Sequence, residues 1–202
     1  MSTATTEKRS TARARLLDAA NELFYSEGVQ TVGIDRIIER AGVAKASLYN
    51  LFGSKEELVA AYLASRQDQV TGQLTDAMSR VDDPRQKILA AFDAQAARNR
   101  QPGYRGCAFI AASTEAPSGG LVERASDQFR ADMRALFTDL AERAGAPDPP
   151  LLGRQLHLLY DGAALASRMD HHDPEIGPAT RHAVEALLDA HLPKRRRPAA
   201  RH

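Results

Sequence analysis

Residues 31–55, TVGIDRIIERAGVAKASLYNLFGSK, decide the fold class of this chain. Apolar residues recur at helical spacing on both sides of Ala41-Gly42-Val43, which predicts two short helices joined by a tight turn. Gly42 suits that turn because glycine adopts a positive φ without strain. Two short helices around a glycine-containing turn are typical of the helix-turn-helix, which places its second helix in the DNA major groove. The segment therefore predicts a DNA-binding unit.

The second predicted helix, residues 44–51, has two chemically different faces. At about 100° per residue, one face carries the apolar groups of Ala44, Leu48 and Leu51. The opposite face carries small, polar and cationic groups from Lys45, Ala46, Tyr49 and Asn50. Such groups, with Ser47, can reach base edges or phosphates without bulk that would hold the helix away from a groove. The alternative is an ordinary exposed helix face with no ligand.

Two further features near this helix favour DNA. Ser54 and Glu57 form a capping-box pattern that starts a fourth helix, and Lys55 at that start can bind a phosphate together with the exposed backbone amides. The first predicted helix begins in a cluster of cations, Lys8, Arg9, Arg13 and Arg15. A cluster of this kind indicates either a phosphate-binding patch or a solvated helix end.

The rest of the chain predicts helices and no strand, because alanine and leucine are common and β-branched residues are sparse. Gly28 is expected to end the first helix, Asp83-Pro84 to start the fifth, residues 145–150 to form a loop and Asp173-Pro174 to start the last. We predict an all-α fold of about nine helices, with a boundary inside the long fourth helix. The expected domains are residues 8–54, which bind DNA, residues 55–192, which bind an effector and dimerise, and a basic disordered tail, residues 193–202.

Composition limits the classes of function. The 202 residues carry a net charge of +1, so any nucleic-acid footprint must be local. The single cysteine excludes a disulfide within the chain, no apolar run approaches bilayer length, and the N-terminus lacks a signal-peptide pattern. We therefore expect a soluble cytoplasmic protein that does not bind a membrane. Since phosphate-binding loops, dinucleotide glycine patterns and zinc spacings are lacking, we expect no cofactor, no metal and no enzyme activity.

Residues 13–63 carry a specific resemblance. The matching positions are Gly28, Ile37, Ala41-Gly42-Val43, Lys45, Leu48-Tyr49, Phe52, Ser54-Lys55 and Leu58. With these residues the segment resembles the DNA-binding domain of the TetR family of bacterial transcriptional regulators. The remaining two-thirds resembles the family only in being helical.

The resemblance implies a homodimeric repressor with three N-terminal helices and an effector domain of about six. It places Lys45, Ser47, Tyr49, Asn50 and Lys55 at the DNA, with Ala44 and Ala46 along the groove. Two positions depart from the family pattern. Gly33 stands where many members carry a Thr or Ser that binds a phosphate, and Ile38 stands where Ala is usual. The expected partners are a palindromic operator and a largely apolar small-molecule effector.

The effector site can be assigned only as a hypothesis. Large apolar side chains on the later helices are expected either to line a pocket or simply to fill the core: Phe92, Phe109, Phe129, Met133, Phe137 and Tyr160. Cys107 is expected to be a small buried residue or, at a helix start, a reactive thiol that senses electrophiles. His171-His172-Asp173 carries metal-ligand residue types, but without a second cluster we expect a helix end and a cap. Asp161, one turn after His157, is expected to pack or to hydrogen-bond.

The last two predicted helices are more hydrophobic than the outside of a monomer requires. We expect them to pair with a second copy across a two-fold axis, through Leu152, Leu156, Leu159, Ala163, Val184, Leu187 and Leu188. A two-fold dimer implies a palindromic operator with half-sites about one DNA turn, or a multiple of it, apart. The rival functions are a small helical enzyme and a helical protein–protein adaptor.

Overall fold

The computed structural model describes residues 11–115, 118–171 and 173–193, and within these ranges it contains nine helices and no strand. The helices are α1 (Ala12–Glu27), α2 (Ile34–Ala41), α3 (Lys45–Phe52), α4 (Lys55–Met78), α5 (Pro84–Asn99), α6 (Ala108–Glu115), α7 (Leu121–Arg143), α8 (Pro149–Met169) and α9 (Ile176–His191). The predicted all-α fold is confirmed. Lys8, Arg9, His172 and residues 194–202 of the predicted tail lie outside the described residues.

Side-chain caps explain where several helices begin. Thr11 accepts a hydrogen bond from the amide of Ala14 at 3.2 Å and starts α1. Ser54 accepts one from the amide of Glu57 at 3.1 Å, as the capping-box pattern predicts. Asp83 caps α5, whose first residue is Pro84. Each cap satisfies an amide that the first helical turn leaves without an intrahelical acceptor.

Two helix starts differ from the sequence prediction. Helix α8 begins at Pro149, inside the predicted loop, and Asp148 caps it by accepting from the amide of Leu151 at 3.1 Å. Prolines are tolerated there because the first turn needs no amide donors. Helix α9 begins at Ile176, later than predicted. Asp173 accepts from the amide of Glu175 at 3.0 Å and so holds the preceding turn rather than capping the helix.

The chain divides into two compact units. The first contains Met1–Arg66 and Ala108–Ser126, and the second contains Gln67–Cys107 and Asp127–His202. Two of the boundaries between the units lie inside long helices, after Arg66 in α4 and after Ser126 in α7. The first unit therefore holds the start of α4, α6 and the start of α7 in addition to the first three helices. The functional limits at residues 54 and 55 stay a prediction, because packing alone does not define a DNA-binding domain.

In the first unit, α1 packs against α2 and α3. Its core consists of fully buried side chains from these helices and from the start of α4, including Leu16, Ile37, Leu48, Leu58 and Tyr62. On the surface, Arg36 binds Glu27 and Arg40 binds Glu22, so both basic side chains of α2 hold α1. These contacts fix the position of α2 and thereby that of the helix-turn-helix.

In the second unit, α5 packs against α8 and α9, and these two helices also contact each other. The rings of Phe92, Phe137 and Tyr160 form a buried cluster with centroids 5.5–5.7 Å apart. Helix α8 approaches α7 closely at Gly153, where an added Cβ would lie 2.8 Å from the backbone nitrogen of Thr138. Within the described part of the chain, no helix is both long enough and apolar enough to cross a bilayer.

Candidate nucleic-acid interface

The turn between α2 and α3 depends on Gly42. This residue has the left-handed conformation, with φ 63°, which glycine adopts without a steric penalty. Its amide donates to the carbonyl of Glu39 at 3.2 Å, and the amide of Val43 donates to Ile38 at 3.1 Å. Two of the last carbonyls of α2 are therefore satisfied by the turn, and α3 begins at Lys45, three residues after Gly42.

Helix α3 is anchored by one turn and exposed on the rest of its surface. Leu48 and Phe52, four residues apart, are buried against the core. The exposed residues are Ala44, Lys45, Ala46, Tyr49, Asn50 and Leu51, and Ser47 is half-buried. The polar face predicted for DNA is thus accessible along its length.

The inward orientation predicted for Ala44 and Leu51 is wrong. Ala44 is the N-cap of α3 with extended backbone, so it does not follow the helical progression of 100° per residue. Leu51 is 41% exposed, because Phe52 rather than Leu51 fills the core position one turn after Leu48. Leu51 is therefore an exposed apolar side chain next to Asn50 in the sequence.

Lys45 does not extend freely into solvent. Its ammonium lies 3.0 Å from the carboxylate of Asp35 in the first turn of α2, and both side chains are exposed. The hydrogen bond to Asp35 and the charge of that carboxylate raise the pKa of Lys45. Asp35 therefore competes with any phosphate or base that Lys45 is to bind, a role that the sequence prediction missed.

Two arginines of α1 lie beside α3. The guanidinium of Arg13 sits 4.9 Å from the ring centroid of Phe52, and Nη1 of Arg15 donates to the carbonyl of Gly42 at 3.5 Å. Both arginines are exposed. Half of the predicted basic patch is therefore fixed next to the turn and the end of α3.

Two positions that the sequence analysis relates to phosphate binding, Gly33 and Lys55, lie at helix N-termini. Gly33 is the exposed N-cap of α2 and, lacking a side chain, provides no cap to the helix. Its φ is −80°, and an added Cβ would have no atom within 4 Å, so the missing hydroxyl reflects residue choice and not lack of space. Lys55 is the first residue of α4, whose start is capped by Ser54.

The residues predicted for effector binding divide between the two units. Phe92, Phe137 and Tyr160 contact one another in the second unit, where Phe129 and Met133 are also buried. Phe109 belongs to the first unit, and Cys107, half-buried, immediately precedes α6. A pocket lined by all seven stays a prediction.

The residues predicted for the dimer interface do not form one exposed surface. Five of them are buried within the chain, namely Leu152, Leu156, Ala163, Val184 and Leu188, whereas Leu159 and Leu187 are half-buried. The exposed apolar residues of α8 are instead Leu151, Leu158, Leu165 and Met169. The first three are spaced by seven residues and so form one stripe along the helix.

His157 and Asp161 lie one turn apart on α8, as the sequence indicated. His157 is almost fully buried, and its Nε2 is 3.5 Å from Asp161, whose Oδ2 accepts from Arg130 of α7 at 2.6 Å. Burial lowers the pKa of His157, the charges of Arg130 and Arg134 lower it further, and Asp161 opposes them. Within the described ranges, no group of three or more His, Cys, Asp or Glu residues is arranged to hold a metal ion.

Comparisons with known proteins agree with this architecture. Residues 16–62 match the bacterial regulatory proteins of the tetR family. FasR of Mycolicibacterium smegmatis, an HTH-type transcriptional activator, is 40% identical over 86 residues. That match covers 43% of this chain and 39% of FasR, so the chain spans about two fifths of that relative.

Two solved structures match most of the chain. SCO4454 from Streptomyces coelicolor, a TetR-family transcriptional regulator, is 37% identical with a TM-score of 0.85 and 90% of each chain covered. Protein sav143 from Streptomyces avermitilis is 36% identical with a TM-score of 0.81, over 90% of this chain and 98% of the other. The family resemblance of residues 13–63 thus extends to the whole fold, and the chain belongs to the TetR family of transcriptional regulators.

Proposed function

We propose that this protein is a repressor that binds a palindromic operator as a homodimer and releases it when a small molecule binds its helical C-terminal region. The observation that carries the proposal is the exposed polar face of α3. The opposite side of this helix is anchored in the core by Leu48 and Phe52. A helix with this combination of a buried anchor and a polar outer face suits the major groove.

The residues of this face take different roles in the proposed complex. Lys45 and Asn50 contact base edges or phosphates, and Tyr49, Ser47 and Lys55 contact the backbone. Ala44 and Ala46 allow close approach because their side chains are small. Because Gly33 has no side chain, only its amide can contact a DNA phosphate at the start of α2. Arg13 and Arg15, which lie beside α3, add to the attraction of the phosphates.

The proposed homodimer forms through the exposed apolar stripe of α8. Leu151, Leu158 and Leu165 repeat at seven-residue intervals, the spacing with which two helices pack along a seam. A second copy related by a two-fold axis presents the same stripe and buries both. The proposed interface therefore uses exposed leucines of α8 in place of the buried residues that the sequence analysis assigned to it.

The regulatory step is a shift between two states. The effector must bind the low-affinity state more tightly than the operator-binding state, since only differential affinity changes the populations. We propose repression rather than activation because repression is typical of the family, although FasR is an HTH-type transcriptional activator. Transcription from the target promoter in vitro, with and without the protein, determines whether it represses or activates.

We place the protein in the cytoplasm, where its DNA target is.

DNA selection by the purified full chain tests the proposal against the rival enzyme and adaptor functions. We expect enrichment of a palindrome, and binding to it that weakens steeply with salt because phosphate contacts release counterions. Equal binding to selected and shuffled sequences would contradict a sequence-specific regulator. An adaptor or an enzyme would give that second result.

A further inference from the structure

Arg98 of α5 is a cation in an unusual position. It is half-buried, and its Nη2 donates to the hydroxyl of Tyr160 on α8 at 3.3 Å. Across the parts of the chain that the structure describes, no carboxylate lies within ion-pair distance of Arg98. Four other arginines of the second unit do bind carboxylates: Arg85, Arg130, Arg143 and Arg181.

The ionisable groups that affect the pKa of Arg98 are phenols and a thiol. Tyr160, Tyr104 and Cys107 are the ionisable groups that interact with it electrostatically, and all belong to the second unit. Burial acts to lower the pKa of Arg98, but these neighbours together outweigh it and the pKa lies above its ordinary value. The guanidinium therefore remains charged in the folded protein.

This arrangement leaves binding capacity unused. A guanidinium has five N–H donors in a planar fork, and the only hydrogen bond from the guanidinium of Arg98 to another described residue is the long one to Tyr160. Removing a charge from water without a counterion is unfavourable, so the position favours an anion. Burial raises the pKa of Tyr160, so its hydroxyl stays protonated and can donate to an anion while accepting from Arg98.

We propose that Arg98, assisted by the hydroxyl of Tyr160, binds the carboxylate of a monoanionic acid with an apolar body. The ligand carries one negative charge because one guanidinium, that of Arg98, forms the cationic part of the site. The body is apolar because the ring of Tyr160 joins Phe92 and Phe137 in the neighbouring aromatic cluster. The inference rests on the proposed function, since it gives the chemical class of the effector.

Calorimetric titration of the full chain tests the site directly. The ligands are straight-chain carboxylates of increasing length, benzoate and phenylacetate, each paired with its matching alcohol. We expect at least one acid to bind about tenfold to a hundredfold more tightly than its alcohol, the range that a charge-assisted hydrogen bond supplies. If every acid binds no better than its alcohol, the proposal is overturned.

Three variants locate the preference. Arg98→Gln should abolish the discrimination between acid and alcohol, and Arg98→Lys, which keeps the charge but loses the fork, should retain part of it. Arg100→Gln removes an exposed arginine two residues away and should leave the discrimination unchanged. Discrimination that persists in both Arg98 variants would place the anion elsewhere and overturn the proposal.

Operator affinity measured without any acid separates this inference from the proposed function. Sequence-specific DNA binding by the wild type combined with a lack of acid preference refutes the anion site alone. An Arg98-dependent acid preference without DNA binding supports the anion site and refutes the regulator. Acid binding that depends on Arg98 and also weakens operator binding supports both.

Discussion

At the scale of single residues, the ion pair between Lys45 and Asp35 limits the contact that we propose between Lys45 and DNA. The 3.0 Å contact competes with a phosphate or a base for the ammonium of Lys45, and in the proposed complex Asp35 is a negative charge close to the DNA. The sequence predicted Lys45 but not its partner, because ten residues and a turn separate the two. The pair forms only when α2 and α3 are folded together.

Asp35→Asn should therefore strengthen operator binding several-fold, because it frees Lys45 and removes a repulsive charge. Fluorescence anisotropy on the selected operator measures this change at several salt concentrations. Asp76→Asn, which removes the same charge from an exposed position on α4, is the matched control and should change affinity little. Equal gains in both variants would mean that only net charge matters.

His157 should make the folded protein sensitive to acid. Its pKa is lowered by burial and by Arg130 and Arg134, so the native state binds the proton less readily than the unfolded chain does. Its stabilising contribution is present above the unfolded pKa, near 6.5, and is lost as the pH falls through the folded pKa.

Denaturant unfolding at a series of pH values checks this expectation. The free energy of unfolding of the wild type should fall between neutral and mildly acidic pH, and His157→Gln should reduce the slope of that fall. His182→Gln, an exposed position on α9, should keep the wild-type slope. A wild-type slope in His157→Gln would show that other groups cause the acid sensitivity.

At the scale of helices, the sequence predicted all nine helices of the described residues but not which face of α8 points outward. The periodicity fixed α1, the helix-turn-helix and the capped start of α5, since each has one apolar side and clear end signals. Helix α8 is apolar around most of its circumference, so Leu151 and Leu152 fit the pattern equally well. In the folded chain Leu152 is buried and Leu151 is exposed. The sequence did not predict a role for Arg98, because the lack of a carboxylate partner among the described residues can be seen only in the folded chain.

The contact of α8 with α7 gives a prediction about packing. Gly153→Ala should destabilise the protein by about 1–3 kcal/mol, because the new Cβ would lie 2.8 Å from the backbone nitrogen of Thr138, so that the backbone must shift to make room. Gly72→Ala on α4, where an added Cβ has no atom within 4 Å, should stabilise by about 0.5–1 kcal/mol. Equilibrium unfolding of both variants measures the two effects. A neutral Gly153→Ala would show that α7 and α8 separate easily.

At the scale of the whole molecule, the oligomeric state links the helices to DNA recognition. Leu158→Glu places a charge in the middle of the exposed α8 stripe, where the leucine is 62% exposed and its loss leaves the chain's own core intact. We expect monomers and weak operator binding, measured by analytical ultracentrifugation and by anisotropy. Gln73→Glu adds the same charge to an exposed position on α4 and should stay dimeric. A dimeric Leu158→Glu would place the interface on another surface.

The most direct test is the salt dependence of operator binding by the α3-face variants Tyr49→Phe and Lys55→Ala, beside the wild type. Phosphate contacts contribute about 0.9 each to the slope of log affinity against log salt, so Lys55→Ala should lower that slope by about one unit. Tyr49→Phe should lower affinity evenly across related sequences, since its hydroxyl contacts the backbone. If both variants bind the selected operator with wild-type affinity and slope, the DNA-binding face has been assigned to the wrong side of α3.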